Sequence, residues 1–166
     1  MIKIAFLTTF LAITGCASQP PLDPDRWLND YDYQESLQGY LERNFAESIT
    51  VGRVPYVYIY GDWCLPCRRL RREAMTDKDF AVIFKDTQII LLDHDRLKRV
   101  KGSPSYGGVP IIAPVTENGE LDKVVVYGVP WSRSLPRDIK YQMCVYFDLR
   151  RVTTSKLDRN CGQYKS

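Results

Sequence analysis

Apolar and polar positions alternate with periods that divide the middle of the chain into helices and strands. Apolar residues at three- and four-residue spacing predict an amphipathic helix over about 34–48; they are Leu37, Tyr40, Leu41, Phe45 and Ile49. The run 54–60 is almost entirely β-branched and aromatic, which is typical of a buried central strand. Residues 64–75 are rich in Arg, Leu, Glu and Ala and therefore favour a helix.

The second half of the chain continues this alternation. Thr76 or Asp77 can cap a short helix, and the apolar run 88–92 predicts a second buried strand. The segments 109–116 and 122–127 flank Glu-Asn-Gly-Glu, which is a strong hairpin signal. A last helix is expected to open at Ser134-Leu135-Pro136, with one apolar face formed by Ile139, Met143, Tyr146 and Leu149.

This order of elements predicts the fold class. A strand–helix–strand crossover makes a parallel pair of strands, and a hairpin adds antiparallel ones. We therefore expect an α/β domain with one central mixed β-sheet and helices on both faces. Pro114 lies inside a predicted strand, where it removes a ladder hydrogen bond, so we expect a bulge there.

Composition narrows the classes of protein to consider. The chain has 166 residues, of which 45% are hydrophobic and 26% are charged, as in an ordinary single globular domain with extensions. A net charge of only +3 gives no indication of a nucleic-acid partner.

The N-terminus has the pattern of a targeting segment. Lys3 is the only charge before the apolar run 4–13, which is too short to span a bilayer but has the length of a signal-peptide core. The sequence Ile13-Thr14-Gly15-Cys16 resembles the lipobox of bacterial lipoproteins. That resemblance implies a signal peptide over 1–15 and a lipidated Cys16; an ordinary signal peptide with a coincidental cysteine is the alternative.

These features divide the chain into four segments. The signal peptide is followed by a polar, proline-rich tether (16–33), a domain (34–151) and a tail (152–166). A lipidated chain would be anchored in the bacterial cell envelope and face the periplasm. In bacterial lipoproteins the residue after the lipidated cysteine influences sorting, and the resemblance implies that Ala17, which is not Asp, permits sorting to the outer membrane, which is favoured over the inner one.

With Cys16 lipidated, the other four cysteines are an even set in an oxidising compartment. Cys64 and Cys67 enclose Leu65-Pro66 directly after the predicted central strand, where a helix begins. The unpaired N–H groups and positive dipole end of a helix N-terminus stabilise a thiolate, which predicts Cys64 as the attacking thiol. Cys67, one turn further on, is expected to be more buried. If Cys64 forms a mixed disulfide with a partner protein, Cys67 is expected to resolve it.

Other roles for this cysteine pair fit the sequence less well. A CxxC pair is half of a zinc site, but no second CxxC or histidine pair follows, so no metal is predicted. A purely structural disulfide across so short a loop would add little stability. The only histidine, His94, is predicted to lie on the surface. A lipoprotein that binds a partner protein or copper without catalysis remains the alternative function.

The sequence around the cysteines resembles a known superfamily. Tyr-Gly-Asp-Trp-Cys-Leu-Pro-Cys-Arg over 60–68 resembles the active site of thioredoxins, and Gly108-Val109-Pro110 resembles their cis-proline loop. Residues 75–80 and 89–95 are similar to the periplasmic branch that contains the C-terminal domain of DsbD and TlpA-like proteins. The resemblance covers about 51–127 and implies a thioredoxin fold and thiol–disulfide exchange without a dissociable cofactor.

The resemblance also implies roles for individual residues. Pro110 would be cis and lie beside Cys64, the backbone of Val109 would pair with a bound substrate, and Trp63 would be a packing platform with a share in substrate contact. Tyr58 stands where thioredoxins commonly carry a buried carboxylate.

The resemblance to thioredoxins also indicates the direction of the reaction and its partners. Leu65-Pro66 lacks the histidine of strongly oxidising motifs. We therefore favour a reductase whose partners are cysteine-containing envelope proteins and a thiol–disulfide electron donor.

The remaining pair, Cys144 and Cys161, is predicted to form a structural disulfide. Neither cysteine has a neighbour at CxxC spacing or lies at a predicted helix N-terminus. A covalent link from the last helix would keep the polar tail ordered. The alternative is a second redox centre that exchanges electrons with Cys64 and Cys67.

Overall fold

A computed structural model of the chain describes residues 26–122, 126–127, 136–149 and 161–164. Within these ranges the elements are β1 (Trp27–Leu28), α1 (Leu37–Thr50), β2 (Val54–Tyr60), α2 (Leu65–Thr76), α3 (Lys78–Ile83), β3 (Thr87–Asp93), α4 (His94–Leu97), β4 (Ile111–Pro114), β5 (Val126–Tyr127), α5 (Pro136–Leu149) and a 3-10 turn (Cys161–Tyr164).

The strands form one mixed sheet in the order β1-β3-β2-β4-β5. Strands β1 and β2 run parallel to β3, whereas β4 is antiparallel to β2 and β5 is antiparallel to β4. Val57 of β2 lies opposite Ile90 on one side and Ala113 on the other. The predicted α/β class, central strand and antiparallel hairpin are therefore confirmed.

Alternation along the strands divides the core into two clusters, one on each face of the sheet. One cluster joins Tyr56, Tyr58, Ile89 and Leu91 to residues of α2, α3 and α5. The other joins Val57, Ile59, Ile90 and Leu92 to residues of α1 and α4. Helices cover both faces, as predicted.

Capping side chains determine where the helices begin. The Ser36 side chain accepts a hydrogen bond from the Gly39 N–H and starts α1, and Asp77 accepts from Asp79 N–H and starts α3. Helix α1 turns Asn44 and Ser48 inward near its end. Ile49, which the periodicity placed on the apolar face, is exposed because it lies about 100° further round the helix than Ser48.

Residues 26–33 belong to the packed domain, although the sequence assigned them to the tether. Trp27 and Leu28 pair with Ile89 and Ile90 as an edge strand. Tyr31 is buried, and the Tyr33 hydroxyl accepts a hydrogen bond from the Asp93 N–H at 2.6 Å. A two-residue strand is too short to show period-two alternation, so the pattern of the sequence did not reveal it.

The bulge expected at Pro114 does not form in the pairing of β4 with β2. The register is continuous to Tyr56 opposite Pro114, and the Val115 N–H donates to the Pro55 carbonyl at 3.0 Å. The Pro114 carbonyl accepts from the Asp122 N–H, on the side away from β2. Because the nitrogen and carbonyl of one strand residue point to the same side, the ring nitrogen also faces away from β2 and removes no bond from that ladder. Strand β4 ends here, earlier than predicted.

Helix α5 begins at Pro136 and packs on the same face as α2 and α3. Met143 is buried, and the Tyr146 hydroxyl donates to the Ile112 carbonyl at 3.2 Å. The side chains of Ile139 and Leu149 lie outside the described residues, as do the predicted signal peptide and most of the tail. Among the described helices, none is both long and apolar enough to cross a membrane.

Candidate active site

Cys64 and Cys67 are joined by a disulfide at the junction of β2 and α2. Cys64 is the N-cap of α2, and its Sγ accepts a hydrogen bond from the Cys67 N–H at 3.1 Å. Pro66 lies in the first turn, where no intrahelical N–H bond is lost. Both cysteines are buried, Cys67 slightly more than Cys64. A Cys64 thiolate would therefore face the unpaired N–H groups of the helix start.

The chain returns to this junction just before β4. The Val109–Pro110 peptide bond is cis, as the resemblance implied, and the Val109 carbonyl oxygen lies 3.6 Å from Cys64 Sγ. Ile111 pairs with Ile59 near the end of β2, which places the preceding two residues beside the disulfide. Pairing of the Val109 backbone with a substrate stays a prediction.

The Trp63 ring is exposed but held in place. Its indole N–H donates to Asp95 Oδ2 at 2.8 Å, and the ring stands edge-on to His94 with centroids 5.9 Å apart. A Cβ added at Gly61 would lie 2.8 Å from a carbon of the indole, so a larger residue there would displace the ring. The geometry places an exposed indole, with its N–H hydrogen-bonded, directly before Cys64.

The surface prediction for His94 is wrong, since only 7% of the residue is exposed. Its Nδ1 lies 3.1 Å from Asp95 Oδ1, and its ring lines a cavity of about 120 Å³ beside Lys98 and Tyr106. Asp93 caps α4 by accepting from the Arg96 N–H, so the helix starts immediately after β3 and turns His94 inward. In the sequence, the polar neighbours of His94 gave no indication that the residue is buried.

Asp95 links the tryptophan and the histidine. Hydrogen bonds from Trp63 and then from His94 lower the pKa of the Asp95 carboxyl below its ordinary value. The carboxylate therefore remains an acceptor for the indole at neutral pH.

Tyr58, which stands in place of the buried carboxylate that is common in thioredoxins, lies buried next to the disulfide. Its hydroxyl donates to the Cys67 carbonyl at 3.1 Å. Burial raises the pKa of Tyr58 well above its ordinary value, so the hydroxyl stays protonated and does not serve as a base for Cys67. The predicted departure from the thioredoxin pattern is present in the structure.

The second cysteine pair is also joined, as predicted. Cys144 is buried in α5 and forms a disulfide with the half-buried Cys161 of the 3-10 turn. Cys144 belongs to the same core cluster as Cys64 and Cys67, and Cys161 packs against that cluster. The structural role of the Cys144–Cys161 disulfide stays a prediction. Cys16, the predicted lipidation site, lies outside the described residues.

No group of three or more His, Cys, Asp or Glu side chains in the described ranges is placed to hold a metal ion. The reactive feature of the site is the Cys64–Cys67 disulfide itself, which carries two electrons when reduced.

The sheet order, with a disulfide at a helix N-terminus and a cis-proline beside it, is the arrangement of a thioredoxin fold. Similar solved structures include the disulphide isomerase of Xylella fastidiosa Temecula1, at 17% identity over 71% of this chain and 93% of that one, with a TM-score of 0.49. Thioredoxin from Trichomonas vaginalis is 21% identical over 74% of this chain and 98% of its own, with a TM-score of 0.47. No family model matches the chain, and no curated protein sequence matches it significantly.

Proposed function

We propose that this protein is a thiol–disulfide oxidoreductase that reduces disulfides in proteins of the bacterial cell envelope. The observation that carries the proposal is the placement of Cys64. Its sulfur caps a helix, lies 3.6 Å from the Val109 carbonyl and follows an exposed, immobilised Trp63. A partner segment that pairs with Val109 would bring its own sulfur to Cys64.

The exchange proceeds through two substitutions at sulfur. The Cys64 thiolate attacks one sulfur of the partner disulfide, that S–S bond breaks, and the departing sulfur takes up a proton. Cys67 then loses its proton and attacks Cys64 Sγ, which releases the second partner thiol. The partner gains two electrons and two protons, and the Cys64–Cys67 disulfide forms. A dithiol donor protein restores the reduced state by the reverse sequence.

The reducing direction is supported by the residues between the cysteines. Leu65 and Pro66 carry no charge, so nothing between the two sulfurs adds to the stabilisation of the Cys64 thiolate by the helix N-terminus. A less stabilised thiolate favours the oxidised form of the protein, which makes the reduced protein the better reductant.

The location is proposed from the leader alone. A signal peptide that ends in Ile13-Thr14-Gly15-Cys16 would leave a lipidated Cys16 and a tether of about ten residues before Arg26, the first described residue. The domain would then work at the periplasmic side of a membrane, with the outer membrane favoured by Ala17.

Trapping in the envelope tests the activity. In a Cys67→Ser variant, mixed disulfides with Cys64 cannot be resolved, so we expect covalent adducts that disappear on reduction. The matched control is Cys64→Ser/Cys67→Ser, which retains every other cysteine. Equal adduct formation by both variants would contradict the proposal, as would an absence of turnover with any disulfide substrate.

Two further measurements test direction and location. A reduction potential near the thioredoxin value of about −270 mV would support a reductase, whereas one near about −120 mV would indicate an oxidant. Cys16→Ala is expected to release the protein from membranes. A variant that stays membrane-bound after a salt wash would contradict the lipid anchor.

A further inference from the structure

We infer that the surface around Cys64 recognises an acidic polypeptide segment that flanks the partner's cysteine. The inference rests on the proposed thiol–disulfide exchange and adds the chemical class of its substrate. It is carried by an exposed apolar centre at the disulfide and by basic side chains on both sides of that centre.

The apolar centre consists of Trp63 and Leu65, the two neighbours of Cys64 in the chain. Trp63 is 60% exposed and Leu65 is 67% exposed. The indole N–H is bonded to Asp95 and the ring lies close to Gly61, so the exposed ring already has contacts within the protein. Large apolar side chains kept exposed beside a reactive sulfur are the features of a protein-contact surface.

Helix α2 supplies basic charge on one side of this centre. Its sequence from Arg68 to Arg72 contains four arginines, and Arg68, Arg71 and Arg72 are exposed. Arg71 lies over the Tyr60 ring at 5.8 Å, and Arg72 pairs with Glu73 at 3.5 Å. Within the described ranges, no carboxylate lies within 4.0 Å of Arg68 or Arg69.

The segment after β3 supplies basic charge on the other side. Because β2 and β3 are parallel, their C-terminal ends share one edge of the sheet, and both Cys64 and α4 follow that edge. Leu97 and Val100 anchor the segment on the face opposite α2. Lys98 is exposed, lines the small cavity with His94, and its charge acts on Asp95.

Positive charge exceeds negative charge in the two segments that carry Cys64 and follow β3. Over 62–72 and 93–98 the acidic side chains are Asp62, Asp93 and Asp95, and the basic ones are Arg68, Arg69, Arg71, Arg72, Arg96 and Lys98. The residues that follow β1 at the same edge add the acidic side chains of Asp32 and Glu35, and Glu35 pairs with Arg43. Asp93 and Asp95 are already engaged by the α4 N-terminus and by Trp63. Exposed charges act over about 10 Å at moderate ionic strength, so basic side chains around Cys64 act on the residues that flank a docked cysteine.

Three peptides that share one disulfide and differ only in flanking residues test the inference. The flanks carry Glu, Gln or Lys, and the rate of reduction by the reduced protein is measured at low and high salt. We expect the Glu peptide to react about tenfold faster than the Lys peptide at low salt. High salt should bring the two rates together because it screens the charges.

Charge reversal assigns the effect to the named residues. In Arg68→Glu/Lys98→Glu, the ratio of the Glu-peptide rate to the Lys-peptide rate is expected to fall below one. The matched control, Lys78→Glu/Lys85→Glu, changes the net charge equally on exposed residues near the opposite end of the sheet. That control should keep the wild-type ratio.

The outcomes separate this inference from the proposed function. Equal reduction of all three peptides would overturn the acidic-segment inference and leave the oxidoreductase activity intact. A reversal variant that keeps the wild-type ratio would also overturn it. Failure to reduce any of the peptides would overturn both.

Discussion

The two disulfides of this protein share one core cluster but differ in their local surroundings. Cys64 and Cys67 are three residues apart at the start of a helix, next to an exposed tryptophan and a returning backbone carbonyl. Cys144 lies within α5, and its partner is 17 residues further along the chain. Only the first disulfide lies at a helix N-terminus beside a backbone carbonyl, whereas the second joins the interior of α5 to the 3-10 turn.

Burial does not distinguish the two pairs, whereas their position in a helix does. Cys64 and Cys144 are both buried. The helix N-terminus beside Cys64 offers N–H groups that stabilise a thiolate, and such groups are already paired in the interior of α5. The length of the enclosed chain differs as well, and it sets how much each disulfide restricts the unfolded state.

The largest expected effect separates the two pairs by activity. Cys64→Ser should lower the rate of disulfide exchange by on the order of 10³-fold or more, because it removes the attacking thiolate. Cys144→Ser/Cys161→Ser should retain near-normal turnover with the same substrate. Loss of turnover in the double variant with unchanged stability would instead identify a second redox centre.

The second effect separates them by stability. Cys144→Ser/Cys161→Ser should lower the free energy of unfolding by roughly 3 kcal/mol, since the disulfide closes a loop with a sequence separation of 17. Cys64→Ser/Cys67→Ser removes a disulfide that closes a far shorter loop, so it should lower the free energy of unfolding by less. Chemical denaturation of both double variants measures the difference, and equal losses would contradict the assignment.

The third effect concerns the two thiols of the reactive pair. In the reduced protein, Cys64 should be alkylated faster than Cys67, with a pKa below the ordinary thiol value of about 8.5, because it caps α2. Alkylation rates as a function of pH, with mass spectrometry to locate the label, measure both residues. Faster labelling of Cys67 would reverse the assigned roles.

The fourth effect concerns the tyrosine beneath the reactive pair. Tyr58→Phe removes the hydrogen bond to the Cys67 carbonyl and should cost about 1 kcal/mol of stability. Exchange should change little, because the raised pKa of Tyr58 prevents its hydroxyl from acting as a base. Tyr40→Phe, which removes a hydroxyl bonded to Asp30 on the other face, is the matched control. A large loss of turnover in Tyr58→Phe alone would indicate a role in catalysis.

The smallest effect is the pH response of the platform. The pKa of Asp95 is lowered below its ordinary value by its bonds to Trp63 and His94, so the carboxylate bond to Trp63 is kept at neutral pH and is lost only as the pH falls through the lowered value. Trp63 fluorescence should stay constant from neutral pH down to 3.8 and change only in stronger acid. Trp63→Phe supplies the baseline, and a fluorescence change near neutral pH in the wild-type protein would contradict the assignment to Asp95.

Sequence patterns predicted the elements whose residues interact over short distances. The run 54–60 is a central strand, Asp77 caps α3, and the CxxC pair opens α2. The same patterns placed His94 on the surface and Ile49 in the core, and both positions were wrong. Their burial depends on how α4 and the last turn of α1 meet the sheet, and a local period contains no information about that packing.

The sequence by itself determined the CxxC pair after a buried strand and the alternation that makes a mixed sheet. Tertiary structure decided that Val109, 45 residues beyond Cys64, lies beside its sulfur together with the next residue, Pro110. It also decided that Asp95 bonds Trp63 and that Trp27 and Leu28 join the sheet. The physical reason is that helix starts and strand periods are set by neighbours in the chain, whereas contacts between elements arise only when the sheet brings their ends together.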